Sequence, residues 1–307
     1  MTARTPVEKL PLAARKNLRD DFENNRESLE KQISDLLGEQ WKIDVNPNLL
    51  YAYADADSWA ANNPGSCIKG YVEGAIWQLK RFVESHGADG AAEINRVAST
   101  HTITIAPDVE KKNSYCGVDI ADGVLRILFT EGNLGTNIDY ALEKLEPAVN
   151  EASKAGEENG LSYSTRNGIR AEWTSQLEEL KKKLVTQLHN DALELIPNFE
   201  ANAAALKAAG KNASREDWEE RLGVFTRNYF EGLEWQLRNK NFANDDMLYE
   251  GFNEAVSTGK IGFRVVDKIE KSYGEVVIED GVLWIQVKPD TFGVNIDYIA
   301  EGIVDLL

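Results

Sequence analysis

Shifting this chain by 158 positions lays it on itself. Tyr71–Lys80 then falls over Tyr229–Arg238, with Tyr, Glu, Gly, Trp, Gln and Leu kept in place. Asp122-Gly123-Val124-Leu125 falls over Asp280-Gly281-Val282-Leu283, and Asn137-Ile138-Asp139-Tyr140 over Asn295-Ile296-Asp297-Tyr298. Ser114-Tyr115 meets Ser272-Tyr273 at the same shift, and no gap is needed from Tyr71 to Tyr140. Several tetrapeptide-scale matches at one offset point to an internal duplication. Upstream the match is looser: Arg19–Leu37 resembles Arg170–Leu188 at a shift of 151, Pro47-Asn48 resembles Pro197-Asn198, and the second copy carries extra residues around Ala203–Asn212.

Two copies are too few for a solenoid. The expected result is two domains related by a pseudo-two-fold, as in a homodimer whose subunits were fused. The expected organisation is a flexible N-terminal arm over 1–16, a first repeat over 17–150, a linker over 151–168 and a second repeat over 169–307. The linker is read from Asn150, Ser153, Gly156, Asn159, Gly160 and Ser162, turn formers without an apolar period.

Within one copy, Leu18, Phe22, Leu29, Ile33, Leu36 and Leu37 recur at helical spacing, and Gly38 suits the helix end. Trp41–Val45 alternates as a short strand. A helical region from Leu49 is interrupted near Asn62-Asn63-Pro64-Gly65. It resumes with Ile68, Val72, Ala75, Ile76, Leu79, Phe82 and Val83 on one face, and Gly87 closes it. Residues 102–106, 115–120 and 124–129 read as three successive strands. Asp122-Gly123 is a type I′ hairpin signal, because both central residues of that turn need positive φ. Ile138–Val149 reads as a final helix, with Asn137 as N-cap and Asp139 in the first turn. The predicted class is α+β, with helices packed on an antiparallel β-meander in each copy.

The formal net charge of −17 repels phosphate backbones and anionic surfaces, so neither nucleic acid nor membrane is an expected partner. Lys181-Lys182-Lys183 lies in a Glu-rich helical pattern and reads as a solvated face. No stretch approaches the roughly 20 apolar residues of a membrane span. Met1–Leu10 shows no apolar core of a secretory signal, with a transit peptide as the weaker alternative, so a cytoplasmic location is expected. Only Cys67 and Cys116 occur, both in the first copy, which argues against a framework disulfide.

Common catalytic signatures are missing: no phosphate-binding loop, no dinucleotide fingerprint, no nucleophile elbow, no C-x-x-C and no H-E-x-x-H. His86, His101 and His189 have no histidine counterpart in the other copy. Asp55-Ala56-Asp57 opens like a calcium loop, but Trp59 takes a ligand position and Ala60 replaces the needed glycine. No cofactor or metal is expected.

The candidate site is the helix kept in both copies. Glu73, Trp77 and Gln78, with Glu231, Trp235 and Gln236, lie beside the apolar stripe. Tyr115 and Tyr273 are further candidates, and Tyr140 and Tyr298 could join them. Gly74 and Gly232 cost a helix roughly 1 kcal/mol against Ala, so each marks a close approach by a backbone or a ligand. The plainer alternative makes the tryptophans packing residues, the glutamates ion-pair partners and the glycines helix crossings. The expected function is a non-catalytic soluble binding or interaction protein with a small-molecule or protein partner. The alternative is a small-molecule enzyme, carbohydrate-active among the options, using Glu73 and Glu231 as paired carboxylates.

Overall fold

The computed structural model describes residues 4–155 and 160–307. The chain divides into two compact units, Met1–Glu157 and Glu158–Leu307. Each is mixed α+β.

In the first unit α1 (Leu12–Asn17) runs into a π-helical turn at Leu18–Phe22, which turns Phe22 into the core. Then α2 (Arg26–Leu37) buries Leu29, Ile33 and Leu37, and Gly38 ends it at φ +78°. After β1 (Lys42–Ile43), α3 (Pro47–Tyr53) starts with Pro47 at its first position and Asn46 accepting from the Leu49 N–H. A short α4 (Trp59–Asn62) leads into α5 (Pro64–Val97). This long helix is broken at Gly87, whose φ of +64° is non-helical. Its buried face carries Ile68, Tyr71, Val72, Ala75, Leu79 and Phe82, whereas Ile76 and Val83 are only half-buried.

The sheet contains β1, β2 (Thr102–Pro107), β3 (Cys116–Ala121) and β4 (Val124–Phe129), in the order β1-β2-β4-β3. It is not a meander. β1 and β4 flank β2 in parallel, and only β3–β4 is antiparallel. The hairpin turn is as expected, with Asp122 at φ +53° and Gly123 at +71°. The parallel pairing has a local cause. Both N–H and Oγ1 of Thr100 donate to the Gly123 carbonyl, at 3.0 and 2.7 Å. That anchor launches β2 and β4 from one point in one direction. The β2–β3 connection is folded up by buried Asp108, which accepts from the Asn113 backbone and side chain.

The final helix also differs from expectation. Asn137 is left-handed at φ +55° and makes no side-chain cap. A single 3-10 turn, Ile138–Tyr140, follows, and the helix α6 spans Leu145–Ala155. Asn tolerates the left-handed region better than most residues, so it punctuates here rather than caps.

Residues 4–16, expected as a flexible arm, are held. Arg4 donates to the Tyr53 hydroxyl and the Ala52 carbonyl and pairs with Glu131, while Leu10 and Ala14 are buried. Residues 1–3 of the expected arm lie outside the described residues, as do residues 156–159 of the expected linker. Helix occupies residues on both sides of that second gap, up to Ala155 in α6 and over Tyr163–Gly168 in α7.

The second unit continues from α7 through a π-helical turn (Ile169–Thr174), α8 (Leu177–Leu188), β5 (Glu194–Ile196), α9 (Phe199–Ala209), α10 (Trp218–Asn239) and α11 (Asp246–Ala255). The strands β6 (Lys260–Val265), β7 (Gly274–Glu279) and β8 (Val282–Val287) complete a sheet of order β5-β6-β8-β7. Its ladder pairs Ile261 with Leu283, as Ile103 pairs with Leu125 in the first sheet. Thr258 bonds the Gly281 carbonyl through N–H and Oγ1, and Asn253 donates to the Leu188 carbonyl as Asn95 does to that of Leu37. The core holds Phe230, Phe242, Phe252, Phe263 and Phe292.

Two stability effects follow in this unit. A Cβ on Gly251, inside α11, would meet only Leu307 at 3.8 Å. Gly251→Ala is therefore expected to stabilise by about 0.5–1 kcal/mol, read as a higher urea midpoint. At the start of α10, hydrogen bonds from Arg215, with help from Arg221, hold the Asp217 carboxyl down at about 2. Its folded value lies below its unfolded one, so its stabilisation is present above about pH 4 and is lost as pH falls toward 2. The pair is partly exposed to solvent, which reduces the effect to about 1 kcal/mol. Asp217→Asn should lower stability by that amount at neutral pH and by much less near pH 2, in paired denaturant titrations.

Candidate functional site

The repeated glycine admits a backbone. A Cβ on Gly74 would collide with the carbonyl of Ile138 and lie 3.4 Å from the Asp139 Cα; one on Gly232 would lie 3.0 Å from the Ile296 carbonyl oxygen. The 3-10 turn after each left-handed asparagine (Asn137, Asn295) thus packs directly on its helix. In the second unit Gln236 clamps this contact by donating to the Asp297 carbonyl at 2.7 Å. From below, the loop entering the turn is held by a buried tyrosine. The Gly135 N–H donates to the Tyr71 hydroxyl at 2.9 Å, and the Gly293 N–H to the Tyr229 hydroxyl at 2.7 Å. Burial pushes both phenols well above the usual tyrosine range.

The helix and the turn leave a ledge between them. In the first unit Glu73, Gly74, Trp77, Gln78 and Arg81 of α5 face Asp139, Tyr140 and Glu143 across a cavity of about 500 Å3. In the second, Glu231, Glu234, Trp235 and Arg238 of α10 line a cavity of about 410 Å3 with Asp297, Leu180 and Lys183. Glu231 and Asp297 also border an adjoining hollow of about 510 Å3 that includes Tyr298. Trp77 is 53% exposed and Trp235 39%, and Tyr140 and Tyr298 are exposed at 55% and 64%.

The structure brings Glu73, Trp77 and Gln78 together in one cavity and Glu231 and Trp235 in another. Gln78 and Gln236 are buried beneath the ledges, and Gln236 acts as a clamp. Tyr115 and Tyr273, each next to the start of a strand, are exposed and line neither cavity. Each glutamate pairs with a cation one turn earlier on its own helix, Lys69 with Glu73 at 3.5 Å and Arg227 with Glu231 at 3.6 Å. Asp139 and its counterpart Asp297, the first expected only as a helix-dipole partner, line the ledges, and no cation pairs with either among the described residues. Arg81 is a site residue that sequence reasoning does not find. Its guanidinium lies over the Trp77 ring, 4.9 Å from the centroid. The signal for the aspartates is present in the repeated Asn-Ile-Asp-Tyr; for Arg81 there is none, because the position is Asn239 in the second unit.

The histidines have structural surroundings. His101 is left-handed at φ +48° and stacks on Trp41, and His189 ends α8 at φ +51° with Nε2 at 2.9 Å from the Ala243 carbonyl. His86 packs on Phe82. Both cysteines are free thiols, and burial pushes that of Cys67 up to about 12. Among the described residues, no group of three or more His, Cys, Asp or Glu is arranged to hold a metal ion. No described helix is long and apolar enough to cross a membrane. No protein-family model, curated protein or solved structure matches the chain.

Proposed function

We propose that the chain is an internal duplication of one α+β unit and acts as a non-catalytic binding protein, with the helix-and-turn ledge as its binding surface. One observation carries this reading. Trp77 and Trp235, Tyr140 and Tyr298, Glu73 and Glu231, and Asp139 and Asp297 recur at a single spacing and stay open to solvent. A fold has no need of exposed indoles, and exposed aromatic patches rimmed by polar groups mark interaction surfaces. The duplication itself is supported by matching strand orders, ladder registers and the repeated threonine, asparagine and tyrosine hydrogen bonds. Catalysis by Glu73 and Glu231 draws no support from their surroundings, since each is a half-exposed carboxylate paired with its own helix's cation.

The test is intrinsic tryptophan fluorescence of the wild type, Trp77→Phe and Trp235→Phe, titrated with sugars, nucleotides, amines and metal ions. A saturable change, lost in one or both variants, is the expected result. No response to any of these compounds or to a basic peptide, from a folded protein, would overturn the reading.

A further inference from the structure

The two ledges differ at one decisive place. In the first, the guanidinium of Arg81 lies over the Trp77 indole, in a cavity that Asp139 and Glu143 also line. It shows, from within the chain, what this surface holds: a flat cation on the negative face of an indole. At the same shift of 158 the second unit has Asn239, an exposed neutral side chain. Among the described residues no cation lies over Trp235. The cations near it are committed elsewhere, Lys183 to Glu179 at 2.8 Å and Arg238 to Glu234 at 3.6 Å, and Asp297 has no cationic partner.

We propose that the Trp235 ledge receives the guanidinium of an arginine on a basic segment of a partner protein, taking the place that Arg81 fills internally in the first unit. The inference rests on reading the ledges as binding surfaces. Charge complementarity favours this occupant, because a chain of net charge −17 draws basic segments toward it. Arginine fits better than lysine because its planar, weakly hydrated head stacks on an aromatic face. By this account the first ledge is self-occupied and the second is the open one.

The probe is a hexa-arginine peptide, titrated by tryptophan fluorescence and by calorimetry for stoichiometry, with each variant's fold checked by circular dichroism. One peptide should bind the wild type. Trp235→Ala should weaken it about tenfold, and Trp59→Ala, which removes an exposed indole that lines neither ledge, should leave it within about twofold. Arg81→Ala should raise the stoichiometry from one to two. Asn239→Arg should block binding, whereas Asn212→Arg, which adds the same charge at an exposed position elsewhere in the unit, should not. Equal binding by Trp235→Ala, or equal losses in Asn239→Arg and Asn212→Arg, would overturn the proposal in favour of diffuse attraction. So would binding of spermine with no binding of hexa-arginine. If a sugar or nucleotide quenches Trp235 and the peptide does not, the ledge reading stands and this inference fails. If no probe reaches either indole, both fail.

Discussion

Gly223→Ala is expected to destabilise the second unit by about 3 kcal/mol, the upper end of what overpacking costs. A Cβ there would collide with the Gly168 carbonyl and sit 2.8 Å from the Ile169 nitrogen. These are backbone atoms at the entrance to the π-helical turn, and they have no rotamer by which to move aside. Gly65→Ala should do the same in the first unit, where the Asn17 carbonyl and the Leu18 Cα at 2.7 Å occupy the corresponding space. Asn17 strengthens that crossing with a hydrogen bond from the Gly65 N–H to its side-chain oxygen at 2.8 Å. Urea unfolding read by circular dichroism measures both variants, with Gly251→Ala as the helix glycine that should move the other way. A loss below about 1 kcal/mol in Gly223→Ala would mean that α7 and α10 slide apart easily and that the crossing is not tight.

Tyr229→Ala should cost about 4 kcal/mol, as large aromatic truncations in a packed core do. The Tyr229 ring is stacked on Phe263 with centroids 4.5 Å apart and lies within 6.3 Å of the Phe292 centroid. Tyr229→Phe keeps the ring and removes only the acceptor for the Gly293 N–H. It should cost about 1–2 kcal/mol, the range for a buried donor left unsatisfied. The two substitutions separate packing from the hydrogen bond. Because Gly293 leads into the turn that carries Asp297 and Tyr298, Tyr229→Phe should also loosen the second ledge, seen as a red-shifted Trp235 emission. Tyr71→Phe should act likewise on the first ledge through Gly135. An unchanged urea midpoint in Tyr229→Phe would show that water replaces the lost acceptor.

Much of the local structure is legible in the sequence because it depends on local chemistry. Gly38 and Gly87 end helical segments with positive φ, and Asp122-Gly123 turns a hairpin, as their residue types demand. Strand partners are not legible. Alternation marks 102–106 and 115–120 as strands but says nothing about which neighbour each one takes. The determinant is Thr100 at the Gly123 carbonyl, one contact between residues that carry no shared pattern. Asn137 misleads for a related reason: asparagine serves both at helix caps and in left-handed turns, and only the packing of Ile138 against Gly74 decides between them. The ledges are half legible. Glu73, Trp77, Glu231 and Trp235 stand out through repetition, and so do Gly74 and Gly232 as sites of close approach. Asp139 and Asp297 are hidden by reading as helix. Arg81 is hidden because the shift of 158 picks out only identical residues, and it lays Arg81 over Asn239.

The strand order has a consequence for the sequence of events during folding. The β3–β4 hairpin closes over a two-residue turn and can form within microseconds. β2 must then find β4 across the intervening loop, and β1 must find β2 across the whole of α3, α4 and α5, with Lys42 opposite Thr102. The last step closes a loop of some sixty residues for a strand of only two. Pairing that distant in sequence slows folding because chain entropy is lost before contacts repay it. Each unit is therefore expected to assemble from its C-terminal hairpin backwards, and a ribosome releasing the chain would finish each sheet only after its closing strands had emerged.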